Sequence, residues 1–217
     1  MPSRLPILVS LLAAALLCAC DLPSNFQAAS DGGGTATTGA KSVGTGSILA
    51  FGDSLTSGGG KVSNPYPGQL SRMTGRPVIS SGAGGETLVR GASRFPGVFD
   101  KNRPSTVVIM EGTNDAASGG SASAAQAALA SMIGYAKSKG ANVVVATIPP
   151  FQKGAAAANP AAVDLNNHIR AAASSQGVPL ADVYAAFGGN GALTQGDGIH
   201  ITNEGAGVIA ATVADKL

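Results

Sequence analysis

Short apolar runs, each closed by a polar turn and followed by a stretch of helical spacing, constrain this chain more than any other feature. Such runs occupy residues 47–51, 77–80, 106–110 and 142–148, with a weaker one at 180–184. Apolar, partly β-branched runs of this length, bounded by Gly, Pro, Asn or Asp, read as strands buried on both faces. The clearest helical stripe between them carries Ala125, Leu129, Met132, Ile133 and Ala136 and closes at Lys137, Lys139 and Gly140. A second opens at Asn159-Pro160, an N-cap with Pro at the first helical position, and turns Val163, Leu165, Ile169 and Ala172 inward. A last helix over 203–216 does the same with Ala206, Ile209, Ala210 and Val213. Regular alternation of strand and helix implies a five-stranded parallel sheet with helices on both faces.

The N-terminal end follows different rules. A short basic segment holding Arg4 precedes an apolar stretch from Leu5 to Leu17 and then Cys18-Ala19-Cys20. That stretch is too short for a comfortable membrane span and reads as an export signal over residues 1–19. Leu17-Cys18-Ala19-Cys20 resembles the lipobox of bacterial lipoproteins, with Cys20 as the residue that receives lipid. Asp21 resembles the signal that retains lipoproteins at the inner membrane, and plain secretion is the alternative. Residues 20–46 are rich in Ala, Ser, Gly and Thr and read as a flexible linker reaching roughly 25 to 30 Å. Both cysteines lie in the leader, so the domain at 47–217 gains no disulfide and depends on its core.

Charge narrows the partners. The formal net charge is +2, the basic residues are scattered and there is no Trp, so no nucleic-acid surface is expected. A small molecule in a pocket, a lipid membrane through the N-terminal anchor and a monomeric state are the expectations.

In parallel sheets, ligands bind beyond the carboxyl ends of the strands. The residues there are Gly52-Asp53-Ser54-Leu55, the glycine-rich turn from Gly82 to Thr87, Gly112-Thr113-Asn114-Asp115 and Pro149-Pro150. Ser54 is offered on a sharp turn, and a serine becomes a useful nucleophile when a base with its own orienting partner comes within reach. Of the two histidines, His168 sits among Asn166, Asn167 and Arg170 and reads as a solvated surface residue. His200 closes Asp197-Gly198-Ile199-His200, where the acid can fold back onto the ring, just before the final helix. The charge on a tetrahedral intermediate then needs donors. Candidates are the Ser54 N–H, an N–H of the Gly84-Gly85 turn and the Asn114 amide, each worth about 3 kcal/mol in comparable sites.

The blocks Gly-Asp-Ser-Leu, Gly-Gly-Glu-Thr, Gly-Thr-Asn-Asp and Asp-Gly-Ile-His, in this order after successive strands, resemble the SGNH family of GDSL-type hydrolases. The resemblance implies a flavodoxin-like three-layer α/β/α sandwich and hydrolysis of acyl esters or thioesters, with no cofactor and no metal. It further implies Ser54 as nucleophile and oxyanion donor, Gly85 and Asn114 as the other donors, His200 as base and Asp197 as its orienting acid. Where the family's second block commonly reads Gly-Asp-Thr, this chain has Gly85-Glu86-Thr87, and Gly82 and Gly84 stand nearby as other glycines.

Two other readings compete. Gly82-Ala83-Gly84-Gly85-Glu86-Thr87 partly resembles a dinucleotide-binding turn, with Glu111 as a ribose-binding acid, but its last Gly is replaced by Thr87. A catalytically inactive binding lipoprotein of the same fold is the second. No G-x-S-x-G elbow occurs in the chain, so a serine mechanism rests on Ser54. The segment 56–67, with Gly58-Gly59-Gly60 and Tyr66-Pro67, is expected to border an acyl pocket suited to short or medium chains, while Phe95, Phe99 and Phe151 are expected in the core.

Overall fold

The computed structural model describes residues 46–59 and 61–217. The leader, Cys20, Asp21 and almost all of the linker lie outside the described residues, as does Gly60. Among the described residues, no helix is long and apolar enough to cross a membrane.

Five strands form one parallel sheet: β1 (Ile48–Gly52), β2 (Val78–Gly82), β3 (Thr106–Met110), β4 (Asn142–Ala146) and β5 (Leu180–Ala181), in the order β2-β1-β3-β4-β5. Every residue of β1 and β3 is buried, because helices cover both faces. Successive side chains of a strand point to opposite faces, and the core splits accordingly. Leu49, Phe51, Val107, Ile109, Val143 and Val145 pack in one layer with α3 (Leu88–Asn102), α5 (Ala122–Ser138) and α6 (Asn159–Gln176). Ile48, Ala50, Val108, Met110, Val144 and Ala146 pack in the other with α2 (Tyr66–Thr74) and α8 (Asn203–Ala214). This is the flavodoxin-like three-layer α/β/α arrangement. Short helices α1 (Ser54–Ser57), α4 (Thr113–Ser118) and α7 (Val183–Phe187) follow β1, β3 and β5.

Several local readings differ from the structure. The weak run at 180–184 yields only two strand residues, because the Asp182 carboxylate accepts from Ala185 N and starts α7. Asn159 does not cap α6: its side chain clasps the backbone of Phe151, accepting from the N–H and donating to the carbonyl, after a 3-10 turn over Lys153–Ala158. Val163, expected inward, is 41% exposed, while Leu165, Ile169 and Ala172 are buried as read. Tyr66 lies wholly buried in the second core layer, and Pro67 is buried beside it in the first turn of α2. Phe95, Phe99 and Phe151 are core residues. His168 is half-buried, its Nδ1 2.6 Å from Gln126 Oε1 of α5.

The chain leaves β1 toward β2 on one side and returns to β3 on the other, which opens a crevice at the carboxyl ends of β1 and β3. Ser54 follows β1 and Asn114 follows β3.

Candidate active site

Asp53 makes the turn at the end of β1. It is wholly buried, and its side chain accepts from Leu55 N at 2.9 Å as the N-cap of α1, leaving Ser54 as the first helical residue. Burial pushes the Asp53 carboxyl up to about 6, against the opposing pull of the Leu55 N–H and of the Thr113 hydroxyl and N–H.

His200 arrives from the loop between α7 and α8, 146 residues away in sequence. Its Nε2 is 3.1 Å from Ser54 Oγ, and its Nδ1 is 2.7 Å from Asp197 Oδ2. The other Asp197 oxygen accepts from the N–H groups of Ile199 and His200, both at 3.0 Å, which closes the tight turn anticipated for Asp-x-x-His. Partial burial alone would raise the Asp197 pKa. Hydrogen bonds from the His200 ring, Ile199 N and His200 N, with the His200 charge, outweigh it and hold the carboxyl down at about 2. Asp197 is thus an anion at neutral pH. It fixes the tautomer with hydrogen on Nδ1, and Nε2 is left to accept the serine proton.

The glycine loop after α1 backs the imidazole. A Cβ on Gly59 would lie 2.5 Å from His200 Cδ2, so no larger residue fits there without moving the ring. Loop 149–158 supports the other side. Gln152 N donates to Gly198 O at 2.8 Å, and Lys153 Nζ donates to the carbonyls of Thr194 and Gln195 at 2.7 and 2.8 Å. Lys153 does so with φ at +52°, a strained left-handed value for a residue with a side chain.

The three candidate oxyanion donors come from three different turns. Asn114 lies in the first turn of α4, and one hydrogen of its amide goes to Glu86 O at 2.8 Å, leaving the second free for a ligand. Gly85 holds φ at +72°, and neither its N–H nor that of Ser54 donates to another described residue. Asp115 Oδ2 accepts from Leu88 N at 2.9 Å, joining the β3 turn to the start of α3. Ser54, His200 and Asp197 are thus joined by hydrogen bonds, and Asn114 is tied to the turn that holds Gly85.

Glu111 does not reach that edge. It is 2% exposed and packs so tightly on α3 that a Cβ on Gly91 would lie 2.2 Å from Glu111 Oε2, which removes it as a ribose-binding acid. Burial, then the neighbouring Glu86 and Asp53, push its carboxyl far above the usual range, and Arg94 only partly offsets them. Sequence reasoning missed the supporting parts: Lys153, the inward turn of Glu86, and Arg94. Only the glutamate in place of aspartate in the second block hinted at any of them. Among the described residues, no cluster of His, Cys, Asp and Glu could hold a metal ion.

The sequence matches the GDSL-like Lipase/Acylhydrolase family over residues 50–208, a span that includes all four blocks. Among solved structures, a lipase/acylhydrolase from Enterococcus faecalis is 24% identical and aligns over 78% of this chain and 93% of its own, with a TM-score of 0.71. A GDSL-like lipase from Bacteroides thetaiotaomicron is 24% identical over 78% of this chain and 86% of its own, with a TM-score of 0.65. The psychrotrophic esterase EstA from Pseudoalteromonas sp., solved in a form inhibited by monoethylphosphonate, is 18% identical over 78% of this chain and 95% of its own, with a TM-score of 0.65. No curated protein matches the sequence.

Proposed function

Since the chain belongs to the GDSL-like lipase/acylhydrolase family, and is accordingly a carboxylic ester hydrolase, we propose that it cleaves short- to medium-chain acyl esters by double displacement at Ser54. The observation behind this reading is the unbroken line from Ser54 Oγ through the two His200 nitrogens to Asp197, with contacts of 3.1 and 2.7 Å.

In the first half-reaction, Ser54 Oγ attacks the ester carbonyl carbon as its proton passes to His200 Nε2. The carbonyl oxygen becomes an oxyanion facing the N–H groups of Ser54 and Gly85 and the free amide hydrogen of Asn114. Asp197 stabilises the imidazolium without taking its proton. Collapse of the intermediate expels the alcohol, which leaves with the proton from Nε2. In the second half, His200 takes a proton from water as the oxygen attacks the acyl-enzyme, and the carboxylic acid departs as Ser54 regains its hydrogen.

The preference for small acyl groups on varied alcohols draws on the oxyanion turn. Gly84 and Gly85 are exposed, and apart from chain neighbours no atom lies within 4 Å of where a Cβ on either would stand, so this turn is open to solvent. Thioesters and lysophospholipids are lesser candidates of the same chemistry. With lipid on Cys20, the enzyme would act from an envelope membrane facing the periplasm, at the inner membrane if Asp21 is read there, on esters such as acetylated polysaccharides. Cysteine-to-serine exchange at Cys20, with labelled palmitate fed to cells, tests the anchor: label on the parent and none on the variant is expected.

Fluorophosphonate labelling mapped by mass spectrometry, followed by a panel of esters of increasing acyl length, tests the reaction. The adduct is expected on Ser54, with rates highest from acetyl to hexanoyl. An unlabelled Ser54, or rates that peak only with long chains, would overturn the proposal.

A further inference from the structure

Beneath the oxyanion side of the site lies an ion pair that the reaction scheme does not use. Glu86 directly follows Gly85, yet its side chain turns inward and the residue is 7% exposed. Arg94, two turns into α3, grips it: Arg94 Nε donates to both carboxylate oxygens at 2.9 Å, and Nη2 donates to Oε2. The same guanidinium donates through Nη1 to Ser81 Oγ at 2.9 Å, and through Nη2 to Ser81 O at 3.3 Å and Gly52 O at 3.4 Å. It also lies over the Phe51 ring, 4.1 Å from the centroid. One planar cation thus joins the end of β1 just before the nucleophile, the end of β2 and the second-block turn.

Glu86 completes the link to the third donor, because its carbonyl holds the Asn114 amide at 2.8 Å. The donors of an oxyanion hole lose effectiveness with displacements well under an ångström, since they must sit 2.7–3.1 Å from an atom charged only in the transition state. We propose that Arg94 and Glu86 are positioning residues for the oxyanion hole, fixing the Ser54, Gly85 and Asn114 donors relative to one another. The proposal rests on the ester-hydrolase reading of those donors. A partly buried ion pair is weak as a source of stability, because desolvation consumes much of its attraction, but its fork geometry is specific. Glu111 fits the same scheme. It packs against Gly91, between the Glu86 end of α3 and Arg94, and as a neutral carboxyl it leaves the guanidinium facing one anion.

A double-mutant cycle on the full-length enzyme with p-nitrophenyl acetate tests this. Glu86→Gln is expected to lower kcat about 30-fold with KM within threefold, and Arg94→Lys to do the same, at temperatures where circular dichroism shows the variants folded. In an Asn114→Ala background, Glu86→Gln should cost clearly less than about 30-fold, because one of the three donors it positions is already gone. An unchanged kcat in Glu86→Gln, or the same factor in both backgrounds, would overturn the proposal. Should Arg94→Lys fail to fold, the Glu86 and Asn114 cycle decides alone. If Asn114→Ala and Ser54→Ala both hydrolysed ester at the parent rate, the ester-hydrolase reading itself would fall.

Discussion

Ser54 stands at the end of a strand whose five residues are all buried, whereas His200 lies in a loop outside the sheet, beside an Asp197 side chain that is 45% exposed. The nucleophile is placed by the fold: β1 pairs with β2 and β3, Asp53 caps α1, and Arg94 ties the neighbouring strand ends together. The base is placed by hydrogen bonds from Gln152 and Lys153 and by the fit of Gly59 against its ring. The difference teaches that one half of the site shares the stability of the core, while the other can loosen without unfolding the domain. Mutations of the groups that hold the two halves in place should therefore separate: those that hold the nucleophile side couple activity to stability, and those that hold the base side strike activity first.

The largest effect expected is on chemistry alone. Ser54→Ala should reduce kcat by about 10⁴-fold or more with Tm within about 2 °C, as read by ester hydrolysis and a thermal melt. Asp197→Asn should cost about 10³-fold by leaving the imidazole free to adopt the wrong tautomer, and again Tm should barely move because Asp197 is exposed. Asn114→Ala, on the core side, should lower kcat about 10²-fold through the lost donor. It should also lower Tm by several degrees, since the amide no longer holds Glu86 O. A normal Tm in that variant would break the proposed contrast between the halves.

Lys153→Met should lower kcat about tenfold with little loss of stability, because the carbonyls of Thr194 and Gln195 lose their donor and the turn ahead of Asp197 is freed. Equal activity would show that Gln152 and Gly198 hold the turn unaided. The smallest effect concerns Glu111, and only as a function of pH. Its folded pKa is raised above the unfolded value, so its contribution to stability is present below the ordinary carboxyl pKa and is lost as pH rises. Glu111→Gln removes this pH dependence, and should raise stability at pH 8 relative to the parent while leaving it nearly unchanged near pH 4. Urea titrations at the two pH values check the sign.

Much of the fold was legible because its signals are local. β3 lies at Thr106–Met110 as its apolar run indicates, and the stripe through Leu129 and Ile133 is buried along its length, since a continuous apolar run or a 3.6-residue stripe has few other ways to leave water. The helices α2 and α3 were harder to see. Gly68 interrupts one, and Gly91, Pro96 and Gly97 interrupt the other, so intrinsic propensity argued against what packing of Leu70, Phe95 and Phe99 then enforced. Val163 followed the periodicity and still faced outward, because the width of a buried stripe depends on how closely a neighbouring helix approaches.

The sequence by itself determined the candidate reactive groups. Ser54, Asn114, Asp197 and His200 could be named from their positions after strands, and the Asp197 turn onto His200 could be anticipated because it closes within four residues. Contacts between distant segments had no such signal. That Lys153 would adopt a left-handed backbone to hold the turn ahead of Asp197, that Glu86 would face inward to Arg94, and that Glu111 would be buried uncharged against Gly91 depended on chain crossings 8 to 42 residues apart or on a contact surface made only when α3 docked on the sheet. Tertiary structure decided those because a charged side chain has no fixed destination until the core around it fixes how far it is from water and which opposite charge it can reach.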